Sequence, residues 1–390
     1  MIRGDDRGAK PNGKQASGRF LWSLGFGFRC ARGSFTTFCR LTLALEAWLL
    51  VLMTILLAAD QSSACWSNRA TEAPPARTTT QGLSTASPPP LTTATTQEPP
   101  TPKILLSGGI TSDTRKDVYQ FDPANGSVVL LKKSPYGLGS ATNPAGSYGS
   151  YALFFGNKPV LFDGAQFKVA DKPAGVLANF QGSAYKAGAT IGNVHFLCGG
   201  TGLDLNVCYS YDFDTDRWAE VTAKMPVGLY GAASAASGGY LYVANGKGTS
   251  RRPTRSLLRF DPQNNSWKTM AQPETERRFG GTAAVELDGK PFLLACGGED
   301  NHDSVRSSCE LYDIEADAWQ RAKGMTSGRE FFVMVSCAGA TYVFGGLDYY
   351  NKRVQHSERF DWATKKWEKL STTGAPLTDF GNAQGVCYTP

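Results

Sequence analysis

The chain has 390 residues, 41% hydrophobic and 19% charged, with 43 glycines, 21 prolines and nine cysteines. Its 40 Lys/Arg exceed its 34 Asp/Glu by six; residues 1–40 alone hold eight basic residues against two acidic ones, so everything after residue 40 balances to zero. A neutral remainder excludes the basic footprint of a nucleic-acid-binding domain, and a chain of this length can bury a core without a metal.

Residues 1–40 read as a basic, disordered leader. The apolar run 41–59 follows, interrupted by Glu46. Its uncharged core, 47–59, is long for the centre of a signal peptide and short for a spanning helix. Two readings stay open. Ser62-Ser63-Ala64 has the small-x-small pattern of a cleavage site, which gives a secreted protein. The long basic leader instead suits a signal anchor whose N-terminus stays in the cytosol, which gives a single-pass type II membrane protein held by one N-terminal helix.

Residues 60–103 are rich in Thr, Pro and Ser, with Thr78-Thr79-Thr80 and Pro88-Pro89-Pro90. Such a composition buries little apolar surface and reads as an extended, O-glycosylated stalk. Cys65, at its membrane-proximal start, is placed to link two chains as a dimer. Leader, apolar run and stalk together predict that residues 104–390 are displayed outside the cell.

A unit of about fifty residues then recurs six times, the spacing of stacked supersecondary repeats. In the first unit, Ile104-Leu105-Leu106-Ser107-Gly108-Gly109 precedes Phe121-Asp122, with Val128 where the later units have Trp. The second is degenerate, with Phe154-Phe155-Gly156 and Phe162-Asp163. Units three to six share an apolar run into Cys198-Gly199-Gly200, Ala244-Asn245-Gly246, Cys296-Gly297-Gly298 or Phe344-Gly345-Gly346. Each continues into an aromatic-Asp pair with Trp seven residues after the aromatic: Tyr211 and Trp218, Phe260 and Trp267, Tyr312 and Trp319, Phe360 and Trp367. The apolar run reads as strand b, the aromatic-Asp as strand c, and the Trp as the start of strand d after an Asp/Asn-rich turn.

These residues resemble the kelch repeat, and the resemblance covers 104–390. It implies an all-β, six-bladed β-propeller with one four-stranded blade per repeat. The first unit has no room for its own strand a. The last is followed by Phe380-Gly381-Asn382-Ala383-Gln384-Gly385-Val386-Cys387-Tyr388, which is similar to strand a of unit five. The C-terminus is therefore expected to complete blade one and close the ring without a sheet edge.

Cys198 and Cys296 share one repeat position, and Cys208 and Cys309 another, on neighbouring antiparallel strands b and c. Two disulfides, Cys198–Cys208 and Cys296–Cys309, are expected, and with them an oxidising compartment. Cys337 and Cys387 fall on inner strands at repeat positions that differ by one, and the sequence leaves them unpaired.

Strand parity puts the b–c loops and d–a connections on one face. That face is expected to be the binding face, through Arg251, Arg252, Arg255, Arg278, Arg329, Tyr349 and Tyr350, with Glu299 and Asp303 shaping its charge. Two N-glycosylation sequons, at Asn125 and Asn264, lie in c–d turns on the opposite face and would leave the binding face open.

No catalytic constellation, metal site or cofactor is expected. Kelch-type propellers include copper radical oxidases and a sugar mutarotase, but the three histidines, His195, His302 and His356, match no copper-ligand set. Glu299-Asp300-Asn301-His302-Asp303 reads as a solvated hairpin rather than a cation site. A sugar-processing activity in the central channel is the alternative. An intracellular adaptor is a third reading, weakened because the space before the propeller holds no oligomerisation domain. The sequence therefore points to extracellular recognition of a protein or glycan partner.

Overall fold

The computed structural model describes residues 100–390 apart from 110–115, 139–143, 157, 171–183, 203–204, 251, 376 and 378–379. The leader, the apolar run, most of the stalk and Cys65 lie outside the described residues. Among the described residues no helix is long and apolar enough to cross a membrane.

The described chain forms six antiparallel sheets, the six blades of a propeller. Blade 1 takes strands b, c and d from β1 (Lys103–Gly108), β2 (Asp117–Phe121) and β3 (Ser127–Lys133). Blade 2 is β4 (Gly146–Tyr148), β5 (Tyr151–Phe154), β6 (Val160–Phe162) and β7 (Phe167–Val169). Blade 3 is β8 (Ala187–Ile191), β9 (Val194–Cys198), β10 (Cys208–Asp212) and β11 (Arg217–Val221). Blade 4 is β12 (Ala233–Ser237), β13 (Tyr240–Ala244), β14 (Leu257–Asp261) and β15 (Ser266–Thr269). Blade 5 is β16 (Gly281–Leu287), β17 (Lys290–Cys296), β18 (Cys309–Asp313) and β19 (Ala318–Ala322). Blade 6 is β20 (Val333–Cys337), β21 (Ala340–Phe344), β22 (Glu358–Asp361) and β23 (Lys366–Lys369). The chain then adds β24 (Thr373–Gly374) and β25 (Ala383–Tyr388).

The ring closes as the repeat pattern predicts. β25 pairs antiparallel with β1, from Lys103 opposite Tyr388 to Gly108 opposite Ala383, and serves as strand a of blade 1. The short β24 was not foreseen; it pairs in parallel with the outer side of β3.

The b strands are continuous apolar runs because both of their faces are buried. Side-chain alternation sends Ile104 and Leu106 into the core shared with blade 6, while Leu105 enters the core shared with blade 2. Corresponding cores fill the interfaces of blades 2 and 3, 3 and 4, 4 and 5, and 5 and 6. Each blade is thus held by its two neighbours.

The aromatic-Asp-Trp motif has two separate jobs. The aromatic and Trp are cross-strand partners with ring centroids 5.0 Å apart in blades 3, 4, 5 and 6. Three of the indoles also donate to the connection entering their blade, at Ala223 O, Ala271 O and Lys323 O. The Asp instead caps the c–d turn: Asp212 Oδ1 accepts from the amides of Asp214 and Thr215, and Asp313 Oδ1 from those of Glu315 and Ala316.

Both expected disulfides form, Cys198–Cys208 and Cys296–Cys309, with Cα atoms 4.0 and 4.2 Å apart. A third joins Cys337 to Cys387 at a Cα separation of 5.4 Å. It ties the inner strand of blade 6 to the closing strand β25. The one-position offset is no obstacle, because inner strands of neighbouring blades pack side by side and need not share a hydrogen-bonded register.

Candidate binding face

The mouth of the channel is organised by a backbone circuit. Gly231 N donates to Tyr185 O, Phe279 N to Gly231 O, Phe331 N to Phe279 O and Asn382 N to Phe331 O, at 2.8–3.0 Å. Tyr185, Gly231, Phe279, Phe331 and Asn382 all have φ between 54° and 62°. Each therefore marks the same left-handed turn where a d–a connection drops into its inner strand. The preceding residue bonds to the start of that blade's b–c loop, pairing Tyr230 with Lys247, Arg278 with Glu299 and Glu330 with Leu347. The two kinds of connection thus share one face, as strand parity requires. Gly298 (φ 80°) sits within this contact, and a Cβ there would lie 2.6 Å from Arg278 O.

Aromatic rings fill the centre of the face. Phe279 and Phe331 stack at 4.2 Å, with Tyr185 at 5.1 and 5.7 Å from them. A cavity of about 110 Å³ is lined by these two phenylalanines, Phe332, Met334, Lys186, Gln384 and smaller residues mostly of the inner strands. Drug-sized ligand pockets run from about 300 Å³ upward. Lys186, the ionisable side chain of that lining, donates to Gly199 O at 2.5 Å and lies over the Tyr209 ring.

The arginines divide into two sets. Arg329, which the sequence suggests as a contact residue, is 0% exposed. Its guanidinium pairs with Glu358 and donates to Gly345 O and His356 O. Arg277 repeats the arrangement one blade earlier, with Glu310, Gly297 O and Ser308 O. Burial holds both guanidiniums below their ordinary pKa, opposed by the paired glutamate. Arg329 is therefore an internal clamp of blade 6 and offers nothing to a partner. Arg252 and Arg255, in the b–c loop of blade 4, are exposed as expected; Arg251 lies outside the described residues.

The acidic loop of blade 5 is also largely occupied from within. Glu299 Oε2 accepts from Arg278 Nε at 2.7 Å, and Arg278 reaches Asp303 Oδ1 at 3.2 Å. Asp300 pairs with Arg306 and accepts from the amides of His302 and Ser304. Burial pushes the Asp300 carboxyl up, yet those amides and Arg306 hold it below its ordinary value. Glu330 behaves oppositely. Burial, with the charge of Glu299 added, raises its pKa from 4.5 to about 7, although Arg278 works against the shift.

The b–c loop of blade 6 turns outward. Asp348 Oδ1 accepts from the amides of Tyr350 and Lys352 at 2.9 and 2.8 Å, and Asp348 N donates to Lys352 O. On this braced turn Tyr349 and Tyr350 stand 61% and 75% exposed, edge to face at 5.3 Å. They are the most exposed large apolar side chains of the described protein.

The histidines stay apart in function. His195 is fully buried, contacts Thr190 Oγ1 through Nδ1 at 3.0 Å, and burial lowers its pKa to about 3. His356 contacts Thr326 Oγ1, and His302 is exposed. Among the described residues no group of three His, Cys, Asp or Glu could hold a metal ion. Asn125 and Asn264 are exposed in c–d turns, on the face opposite the loops.

Comparison with known proteins agrees with this architecture. The kelch motif model matches residues 228–274 and 328–374, which hold blades 4 and 6. Kelch-like protein 40 of Mus musculus is 29% identical over 196 residues, 48% of this chain and 29% of its own. A RING finger domain and kelch repeat-containing protein of Dictyostelium discoideum is 30% identical over 170 residues, 43% of this chain and 16% of its own. An F-box/kelch-repeat protein of Arabidopsis thaliana is 29% identical over 134 residues, 33% of this chain and 31% of its own. This chain therefore spans less than a third of the length of these curated relatives. The solved structure of YjhT matches with a TM-score of 0.53 at 13% identity, over 63% of this chain and 88% of that one, a likeness of fold. Repeat, ring and relatives agree: the chain belongs to the kelch-repeat β-propellers.

Proposed function

We propose that the propeller is a non-enzymatic recognition module that binds a protein partner through its b–c/d–a face. The observation that carries this reading is the tyrosine pair Tyr349 and Tyr350, 61% and 75% exposed on a turn fixed by Asp348. A turn whose backbone is already fixed loses little entropy on binding, and Tyr and Arg are enriched among interface residues that dominate affinity. Arg252 and Arg255 add exposed cations on the same face. The small, aromatic-capped channel supports a surface partner over a sugar substrate held inside the ring.

The three disulfides support an oxidising compartment, with the protein secreted or anchored as a type II membrane protein. The RING finger and F-box in the relatives' names support the competing reading, an intracellular adaptor. A C-terminal tag stained on intact cells, with thiols titrated before and after reduction, separates the two. Surface or medium signal with oxidised cysteines is expected. Internal protein with free thiols would favour the adaptor. For the face itself, Tyr349→Ala with Tyr350→Ala in the full chain should weaken partner binding at least about tenfold. Unchanged binding would remove these residues from the interface, and binding to deglycosylated cells separates a protein partner from a glycan.

A further inference from the structure

The backbone bridges at the roots of the b–c loops carry different side-chain pairs from blade to blade. In blade 4 the bridged residues are Tyr230 and Lys247, and the Lys247 ammonium lies 5.7 Å from the centre of the Tyr230 ring. In blade 5 they are Arg278 and Glu299, joined by Arg278 Nε donating to Glu299 Oε2 at 2.7 Å. In blade 6 they are Glu330 and Leu347. Two blades thus set a cation against a ring or a carboxylate that attracts it. Blade 6 has the acid and, in place of the cation, an aliphatic side chain.

Glu330 is only 7% exposed, and its Oε2 is buried without a hydrogen-bond partner. An unmet buried oxygen is costly, more so once it carries charge. The groups that face it come from several connections. Glu299, on the blade 5 loop, repels its charge, and Arg278, on the connection entering blade 5, attracts it. Asp303 lies beyond, 3.2 Å from Arg278 and 82% exposed. At the channel mouth burial raises the pKa of the Tyr185 hydroxyl, and the charge of Glu330 adds to that shift, followed by Tyr230. Arg278 is the one cation in this set, and Glu299 already holds it. Two ionised carboxylates can only accept hydrogen bonds, so Glu330 meets Glu299 either through a proton or across an added cation.

We infer that the Glu330–Glu299 pair is a receptor for a basic side chain of the partner, a lysine or arginine, which takes the place of the proton on Glu330. The proton leaves to solvent as the ammonium or guanidinium arrives, so the buried carboxylate is never left without a counter-charge. Leu347 runs directly into the turn that carries Tyr349 and Tyr350, which puts a charge contact and an aromatic contact at one loop root. The inference rests on the loop face being the recognition surface, and it names one chemistry that the partner brings there. A bare metal ion is a poorer occupant, because among the described residues no three His, Cys, Asp or Glu gather to hold one.

The test needs no partner. n-Butylammonium chloride, which carries the end of a lysine side chain, is added to the full chain at up to about 50 mM against equal sodium chloride, and stability is read by urea unfolding. At about pH 8 butylammonium should raise the unfolding midpoint and saturate. At about pH 5 it should bind at least about tenfold more weakly, because Glu330 is then protonated. Glu330→Gln should weaken the pH 8 effect at least about tenfold while folding as well as the wild type, since the amide keeps the shape and removes the charge. Calorimetry near pH 7, in two buffers of different ionisation enthalpy, should show protons released on binding. A midpoint shift no larger than that in sodium chloride, an equal shift in Glu330→Gln or at the two pH values, or binding without proton release would each overturn the inference. Tyr349→Ala with Tyr350→Ala, which tests the face itself, should leave butylammonium binding intact, so the two readings fail separately.

Discussion

The b–c loops of blades 5 and 6 stand at equivalent places in successive repeats and use their side chains in opposite directions. Blade 5 turns two of its carboxylates inward, Glu299 to Arg278 and Asp300 to Arg306, while Asp303, 3.2 Å from Arg278, stays 82% exposed. Blade 6 uses one carboxylate, Asp348, to brace its turn and leaves two tyrosines in solvent. The lesson is that charge counted along a loop does not measure what the loop offers a partner. A carboxylate already hydrogen-bonded to a guanidinium must lose that bond before it can make another.

The same division separates the arginines, and it can be broken at several points. The largest effect is expected from Arg329→Ala, which leaves Glu358 buried without its partner; the cost is about 3–5 kcal/mol, read by denaturant unfolding. Leu229 and Leu258, which share one apolar cluster at the corresponding place in blade 4, show that the clamp can be replaced by packing. The double variant Arg329→Leu with Glu358→Leu should therefore recover most of the loss. If it is as unstable as the single variant, the clamp does more than neutralise a buried charge.

Replacing Cys337 and Cys387 by serine comes next. The bridge closes a loop of sequence separation 50, worth roughly 3–4 kcal/mol in the chain-entropy model. The first strand to lose hydrogen-exchange protection should be β25. Replacing Cys198 and Cys208, with a separation of 10, should cost less, about 2–3 kcal/mol.

Glu330 sharpens the comparison through pH. Its folded pKa of about 7 lies above the ordinary 4.5, so the folded protein keeps a proton that the unfolded chain has already released. Stability should fall as pH rises from about 4.5 through 7, and Glu330→Gln should flatten that slope. Near pH 8 the variant should be more stable by of order 2 kcal/mol, after allowance for solvent around the loop. Unfolding curves at pH 5 and pH 8 check both the sign and the size. Tyr350→Ala, by contrast, should shift stability by less than about 0.5 kcal/mol, because the side chain touches little.

Much of this was legible beforehand for a definite reason. Gly-Gly, aromatic-Asp and Trp sit where backbone turns and sheet packing restrict the choice, so the ring, its C-terminal closure and the two b–c disulfides could be placed by repeat register. The Cys337–Cys387 bridge escaped because it crosses between blades, where repeat register says nothing about proximity. The burial of Arg329 escaped because its partner lies about thirty residues away on strand c. A signal did exist: Glu310 and Glu358 stand two residues before the strand-c aromatic only in the blades entered by Arg277 and Arg329. Leu258 holds that place where the connection carries Leu229, and Tyr119 holds it where the connection carries Phe380, 5.5 Å away ring to ring.

The central claim, that the loop face receives the partner, is tested most directly by a photo-crosslinking amino acid placed in the full chain at one of two exposed tyrosines. Tyr350 stands on the loop face, and Tyr148, 39% exposed at the β4–β5 turn, stands on the opposite one. The account predicts a discrete adduct from position 350 and none from position 148. An adduct from position 148 alone would contradict it and move recognition to the opposite face.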